Sequence, residues 1–377
     1  MIQMLDTHRH LYNRALAERK DAWEQEQRSV HYTDQSAQLK VDRTANPYLA
    51  QTNFTNCQQT LRRLDKTFQA FFRRVQRAET AGYPRFKGRD RFDTVDFVVN
   101  DGSKINGDRV YFQHIGNVRI VLHRPIDGTI KTLSFTRRAD AWYLIVSCDL
   151  GDPEPVQHDG PAVGIDVGLE KFATLSTGAV VANPRFFRTD EQALARAQRR
   201  MSKHAKGTPE RQYHKRIVRR IHERITNRRK DFAHKLSRRL VSEFATIVFE
   251  DLSITRMIKN HCVAKSIADA AWNQLITYTQ YKAGDAGSVC RQIDPRGTSQ
   301  RCSACRAVVQ KALSVRVHQC PLCGLEIDRD LNAALKLWEW GYTPWGLLRE
   351  AASFTERSSH SLHFTQIGRC LLRPKDA

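Results

Sequence analysis

The sequence predicts a multidomain α+β protein, and three observations carry that prediction. Apolar residues across much of the first 82 positions recur at helical steps of three and four. From residue 83 to 150 the pattern switches to short β-branched and aromatic runs separated by Asn, Asp and Gly. Beyond residue 162, apolar strands that end in carboxylates alternate with long helices, and two CxxC knuckles follow. A chain of 377 residues has length for about two to four domains with cores of their own.

Residues 1–82 read as a helical unit. Leu5, Leu11, Leu16 and Trp23 interleave with charge in a first helix ending near residue 29, and the polar stretch 30–46 is expected to be a loop. Asn46-Pro47 makes a helix entrance, and Phe54, Cys57, Leu61, Leu64, Phe68, Phe71 and Val75 form one apolar stripe that stops before Gly82 and Pro84. The outer face carries Arg62, Arg63, Lys66, Arg73, Arg74 and Arg77. Isolated surface charges are usually just solvated, but a face this uniformly positive points to nucleic-acid backbone.

Residues 83–150 read as a small antiparallel β-barrel. It opens with Tyr83-Pro84-Arg85-Phe86-Lys87, whose Lys87 joins the nucleic-acid candidates. Strands are expected at Thr94–Val99, Arg109–Phe112, Asn117–Leu122, Thr129–Thr136 and Trp142–Cys148, with turns at Asn100-Asp101-Gly102, Asn106-Gly107-Asp108 and Asp127-Gly128. The acidic, Pro-containing stretch 151–161 reads as a linker.

The third region occupies 162–297 and 324–345, around a ribbon at 298–323. It opens with Ala162–Leu169, a short apolar strand that ends in an acid and then a glycine and places Asp166 among apolar neighbours, where a carboxylate is costly unless it meets a cation. A second strand at Phe172–Ser176, helices at 190–204 and 209–243, a strand ending in Glu250, a helix from about Ser266 to Gly284 and a strand at Ser288–Ile293 give the order β-β-α-α-β-α-β. The 209–243 helix sets Ile217, Ile221, Ile225, Phe232, Leu236 and Leu240 against a dense basic surface. Arg216, Arg219, Arg220, Arg228 and Arg229 are its candidates for nucleic-acid contact.

Cys302/Cys305 and Cys320/Cys323 are separated by fourteen residues, a spacing at which four thiolates close a tetrahedral structural Zn²⁺ site. After the second knuckle, Asp330 opens a helix. Asp166, Glu250 and Asp330 would then meet if the two carboxylate-ended strands lie side by side, and an all-oxygen set suits Mg²⁺ or Mn²⁺. Two such ions could hold a scissile phosphate, so a metal-dependent nuclease is the expected activity. Each acid alone has an ordinary role in a turn or cap, and the adjacent Asp251 and Asp328 are alternative members.

Charge supports the same class. Lys and Arg number 61 against 40 Asp and Glu, a net charge of +21, which favours a polyanion as partner. No apolar run could span a membrane and no signal core opens the chain, so a cytoplasmic protein with no membrane partner, associated with the bacterial nucleoid, is expected. Nine cysteines, four of them in the ribbon, argue against disulfides.

The strings GIDVGLEKFATLSTG, VFEDLSI, AKSIADAAW, IDPRGTSQRCSAC, CPLCG and DRDLNAA resemble the TnpB family. These are RNA-guided nucleases encoded by small bacterial transposons and related to type V CRISPR effectors. The resemblance covers about residues 1–340 and implies that Asp166, Glu250 and Asp330 are the catalytic carboxylates of a RuvC-like nuclease domain with an RNase H-like fold. Cys302, Cys305, Cys320 and Cys323 fall on the family's zinc ribbon. Residues 1–82 are similar to its recognition lobe and 83–150 to its wedge barrel. A guide RNA from the transposon end, a target double-stranded DNA and a separate transposase of the same element are the implied partners. The alternative is a guided DNA-binding repressor or accessory transposition protein without cleavage. Two features depart from the family pattern. The chain begins at or just before the first helix, so the barrel is expected to lack its first strand or the start codon to be misassigned, and Arg306 stands where glycine usually follows the first knuckle. Residues 346–377 match nothing and are expected to form a flexible tail.

Overall fold

Two units divide the chain, Met1–Asp152 with Ser361–Ala377 forming one and Pro153–His360 the other. The computed structural model describes residues 1–139, 141–151, 158–312, 315–342 and 365–373, so most of the expected linker at 151–161 and of the tail lies outside the described residues.

The first unit opens with helices α1 (Ile2–Glu26), α2 (Tyr32–Ala45), α3 (Pro47–Ala50) and α4 (Phe54–Gln76). Helix α4 starts where the Asn53 side chain accepts the Asn56 N–H, and it buries Cys57, Leu61, Leu64 and Phe68 along one stripe. The expected loop at 30–46 is instead mostly α2. Its apolar signal is weak because a glutamine replaces hydrophobes on the inner face. Buried Gln35 donates to the Ala15 carbonyl and accepts from Arg19, beside the fully buried Leu39. The Asp34 carboxylate accepts the His31 N–H and closes the helix start. Strands β1 (Thr94–Val98), β2 (Ser103–Asn106), β3 (Arg109–Phe112), β4 (Gly116–Val121), β5 (Thr129–Arg138) and β6 (Ala141–Asp149) follow, of which β2 had no counterpart in the sequence reading.

The second unit contains β7 (Ala162–Val167), β8 (Lys171–Leu175), β9 (Val180–Ala182), α5 (Phe186–Ser202), α6 (Pro209–Glu243), β10 (Thr246–Glu250), α7 (Ile254–Met257), α8 (His261–Ala270), α9 (Trp272–Asp285), β11 (Val289–Ile293), β12 (Val317–Gln319), β13 (Glu326–Asp328) and α10 (Arg329–Tyr342). Pro209 at the first helical position and the Thr208 hydroxyl, which accepts the Arg211 N–H, start α6 where the sequence placed it. The single helix expected over 266–284 is broken at Ala271, which turns left-handed at φ 54° and separates α8 from α9. The sheet runs β11-β10-β7-β8-β9, with β11, β10 and β7 parallel and β8 and β9 antiparallel.

Helix α10 lies on one face of that sheet at very close range. A Cβ at Gly164 would stand 2.1 Å from the Ala334 carbonyl oxygen, and one at Gly341 would stand 2.3 Å from a Val248 methyl. Glycine is required at both points for the helix to approach β7 and β10.

The chain then returns to the first unit as β14 (Thr365–Arg373), completing a seven-stranded antiparallel sheet of order β1-β5-β6-β14-β4-β3-β2. The segment expected to be a flexible tail thus contains a strand paired with β6 along Thr365–Leu372 and with β4 at Leu371–Arg373. The sequence hid it because a lone strand carries no turn partner or helical period of its own. The sheet curls until its far strands share a core: Phe97 of β1 and Phe112 of β3 meet at a tilt of 43° with ring centroids 4.7 Å apart, and Phe135 lies 5.8 and 5.6 Å from them. Each such ring contributes roughly 1.5–3 kcal/mol by leaving water.

Candidate functional site: a carboxylate cluster beside a four-cysteine ribbon

Parallel register sets the first two carboxylates. Ile165 of β7 pairs with Phe249 of β10, so Asp166 and Glu250 stand one step further along neighbouring strands. Side chains alternate faces along a strand, so Asp166 shares the face of Gly164, and Glu250 that of Val248. This is the face on which α10 lies. Asp330 sits in the first turn of α10. Two strand ends and a helix start therefore lie on one face of the sheet.

Burial and mutual repulsion dominate the electrostatics. The Asp166 carboxyl is pushed well above its ordinary 3.8, first by burial, then by Glu250 and Asp330, with Arg329 partly opposing. Glu250 is raised by burial against the help of a Thr298 hydroxyl that donates to Oε1 at 2.7 Å. Asp330 is answered by Arg329, whose Nη2 lies 3.2 Å from Oδ1.

The alternative acids resolve cleanly. Asp251 is exposed, and its N–H extends the β10–β11 pairing by donating to the Ile293 carbonyl at 2.8 Å. Asp328 is the cap of α10: Oδ1 accepts the N–H groups of Asp330 and Leu331 at 3.0 and 3.1 Å, and Oδ2 receives Lys171 Nζ at 2.6 Å. Burial alone would raise the Asp328 carboxyl, yet Lys171 and the two amides hold it below its ordinary value. With the cap supplied by Asp328, the Asp330 carboxylate is free of that role. Thr298 and Lys171 were missed in the sequence because nothing in a single chain links a hydroxyl or an amine to an acid 48 or 157 residues away.

The four cysteines form a different kind of cluster. Their sulfurs all lie within 4.8 Å of one another, and among the described residues this is the one group of three or more candidate ligands that closes to such a spacing. Cys302–Cys323 and Cys305–Cys320 sulfurs are 3.6 and 3.4 Å apart, close to the ~3.8 Å edge of a tetrahedron with Zn–S bonds of about 2.3 Å. The knuckles have matching backbones: Arg306 N–H donates to the Cys302 carbonyl and Gly324 N–H to the Cys320 carbonyl, at 3.0 and 2.9 Å. The donor set of four thiols and its spacing fit structural zinc. Arg306 occupies φ 65° and Gly324 φ 71°, so the usual glycine position is left-handed here with an arginine in it. The Arg306 guanidinium is anchored on Glu339 of α10 at 2.8 Å.

The basic candidates divide. Arg63 is turned inward, donating to the Thr94 carbonyl and pairing with Asp96. Arg229 places Nε and Nη2 on buried Asp269, and Arg228 pairs with Asp190 at 3.2 Å. Arg63 and Arg229 are thus turned into the fold rather than outward, whereas Arg228 stays exposed beside Asp190; the acids lie on other elements, beyond the reach of a helical wheel. Arg62 donates to the Tyr32 hydroxyl, and Lys87 lies over the Tyr12 ring at 5.9 Å. Arg219 is half-buried and Arg220 exposed, both with partners inside the protein. Arg73, Arg74 and Arg77 are exposed beside the exposed Phe72 and Val75, and Arg216 is exposed over Tyr213. No helix among the described residues is long and apolar enough to cross a membrane.

Known protein families match three stretches of the chain. Residues 145–261 match the OrfB_IS605 family, described as "Probable transposase", 272–337 match "Cas12f1-like, TNB domain" and 1–28 match a helix-turn-helix domain. A "Putative RNA-guided DNA endonuclease" of Streptomyces pristinaespiralis is 38% identical over 86% of this chain and 81% of its own. The "Putative RNA-guided DNA endonuclease InsQ" of Escherichia coli K12 is 28% identical over 89% of this chain and 86% of its own. A Cas12f1–guide RNA–target DNA complex aligns over 89% of this chain and 93% of that one, at 15% identity and a TM-score of 0.35.

Proposed function

The chain belongs to the TnpB family, and from that membership we propose that it is an RNA-guided DNA endonuclease that hydrolyses phosphodiester bonds at Asp166, Glu250 and Asp330. The observation that carries the reading is the convergence of these three carboxylates, from β7, β10 and the start of α10, on one face of one sheet. Burial and neighbouring carboxylates raise the proton affinity of Asp166 and Glu250, an unstable arrangement unless cations enter, and hard oxygen donors suit Mg²⁺ or Mn²⁺. Such ions, when bound, supply an activated water and charge stabilisation for the leaving oxygen.

The chain's own residues prepare that chemistry. Thr298 fixes the carboxylate plane of Glu250, Asp328 and Lys171 fix the entrance of α10, and Arg329 holds Asp330 before the site is loaded. In the reaction a water oxygen bonds to phosphorus as one ester P–O bond breaks, and the leaving oxygen takes a proton. The second unit is then the RuvC-like domain with its inserted zinc ribbon, and the curled sheet of the first unit is the wedge barrel. Strand β14, from the far end of the chain, lies between β6 and β4 in that barrel. Arg73, Arg74, Arg77 and Arg216, each exposed among aromatic or apolar side chains, are the contacts we assign to RNA or DNA backbone.

The test is to co-express the chain with its flanking transposon end and purify the RNA-bound protein. The complex is then challenged in Mg²⁺ with a plasmid library carrying the guide match beside randomised motifs. Cleavage by the wild type and not by Asp166→Ala is expected. Bound RNA with no cut by either protein would contradict the enzyme reading.

A further inference from the structure

Two buried polar side chains outside the carboxylate and cysteine sets tie those sets together. Thr298, 1% exposed, lies four residues before Cys302, and its hydroxyl reaches Glu250 Oε1 at 2.7 Å and the Pro295 carbonyl at 2.9 Å. A hydroxyl has one proton to give, so an ionised Glu250 claims it and Pro295 yields it. Asn332, fully buried two residues after Asp330, brackets Cys302 from the other side: its Nδ2 donates to the Arg301 carbonyl and its Oδ1 accepts the Ser303 N–H, both at 2.9 Å. The five-residue span from Thr298 to Cys302 is therefore fastened at one end to the strand that carries Glu250 and at the other to the helix that carries Asp330. Cys302 in its turn is one corner of the four-sulfur cluster.

We propose that Thr298 and Asn332 are positioning residues through which the four-cysteine ribbon sets the geometry of Glu250 and Asp330, so that filling either metal site strengthens the other. This rests on the reading of the carboxylates as a metal site. Filling the cysteine site fixes Cys302 and, through the short span, the Thr298 hydroxyl; an ordered hydroxyl fixes the Glu250 carboxylate. By thermodynamic reciprocity, an ion at the carboxylates holds Glu250 on Thr298 and slows the escape of the ribbon's zinc. An independent appendage would show neither effect.

The experiment uses the full chain with its co-purified RNA, as wild type, Thr298→Val, Thr298→Ser, Asn332→Ala and Asp166→Asn. Mn²⁺ affinity is read by water-proton relaxation, zinc content by elemental analysis, and zinc release to a thiol-reactive agent with and without saturating Mg²⁺. Thr298→Val is expected to weaken Mn²⁺ binding roughly ten- to a hundredfold at unchanged zinc content, with Thr298→Ser restoring most of it. Mg²⁺ is expected to slow zinc release in the wild type and not in Thr298→Val, and Asn332→Ala is expected to release zinc roughly tenfold faster. Wild-type Mn²⁺ affinity in Thr298→Val, no rescue by serine, or zinc release indifferent to Mg²⁺ in the wild type would each overturn the coupling. The last readout needs no variant to fold. Unchanged Mn²⁺ binding in Asp166→Asn would instead overturn the carboxylate reading, and the coupling with it.

Discussion

Four cysteines and three carboxylates in the same unit differ first in their distance along the chain. The cysteines fall between residues 302 and 323, and two small backbone knuckles bring them together. The carboxylates span residues 166 to 330 and meet only because β7 and β10 pair in parallel and α10 crosses both at glycine range. The sulfur set is closed and soft, suited to an ion that holds structure; the oxygen set is hard and electrostatically frustrated, suited to ions that act on a ligand. A ligand cluster made locally is a staple. One assembled by the fold is a product of the fold and can be removed without losing it.

The largest test of that contrast exchanges the two losses. Asp166→Asn is expected to lower cleavage by at least about a thousandfold while zinc content and thermal midpoint are kept. Cys302→Ser is expected to lose zinc and lower the midpoint together, because a ribbon this short has little core besides its metal. Equal stability losses in both variants would break the distinction.

Next in size is the effect of pH on the carboxylate set alone. Asp166 and Glu250 have raised proton affinities, so protonation favours the metal-free fold. That contribution is full below the ordinary values of 3.8 and 4.5 and is lost as pH rises through the elevated folded ones. Zinc-loaded protein kept free of Mg²⁺ and Mn²⁺ should therefore become less stable over this rise, and Asp166→Asn should be less sensitive to it. Cleavage should change in the opposite sense and fall as acidification protonates the cluster. A thermal midpoint of this zinc-loaded wild type that does not decline over the rise would contradict the frustrated-site account.

Removing residues 361–377 tests a second element assembled from afar. Without β14 the edges of β6 and β4 are left unpaired, and reduced solubility and a lower midpoint are expected of the first unit. Unchanged solubility and melting would show that the strand adds nothing to the sheet. The smallest effect sharpens the ribbon itself. At φ 65°, Arg306→Gly relieves a left-handed strain of about 1 kcal/mol and loses an exposed ion pair worth about 0–1 kcal/mol. Arg306→Ala loses the pair and keeps the strain, so the glycine variant should melt above the alanine variant.

These contrasts also explain what could be read in the chain. The knuckles were legible because their spacing is their geometry, and Pro209 and Thr208 marked the start of α6 to the residue. Asp166 and Glu250 were legible as strand-end acids, and DRDLNAA placed Asp330. Helix α2 was not legible because buried Gln35, rather than a hydrophobe, packs its inner face. Strand β14 was not legible because its partners lie more than 200 residues earlier. Thr298, and the inward turn of Arg63 and Arg229, depend on contacts that only the folded chain creates.

The most direct measurement is a metal count on three proteins: the RNA-bound wild type, Asp166→Asn and Cys302→Ser. Zinc is counted by elemental analysis and Mn²⁺ by titration. The account predicts that Asp166→Asn keeps its zinc and loses Mn²⁺ binding, while Cys302→Ser loses its zinc. Wild-type Mn²⁺ binding in Asp166→Asn would contradict the assignment of the carboxylates as the metal site of the reaction.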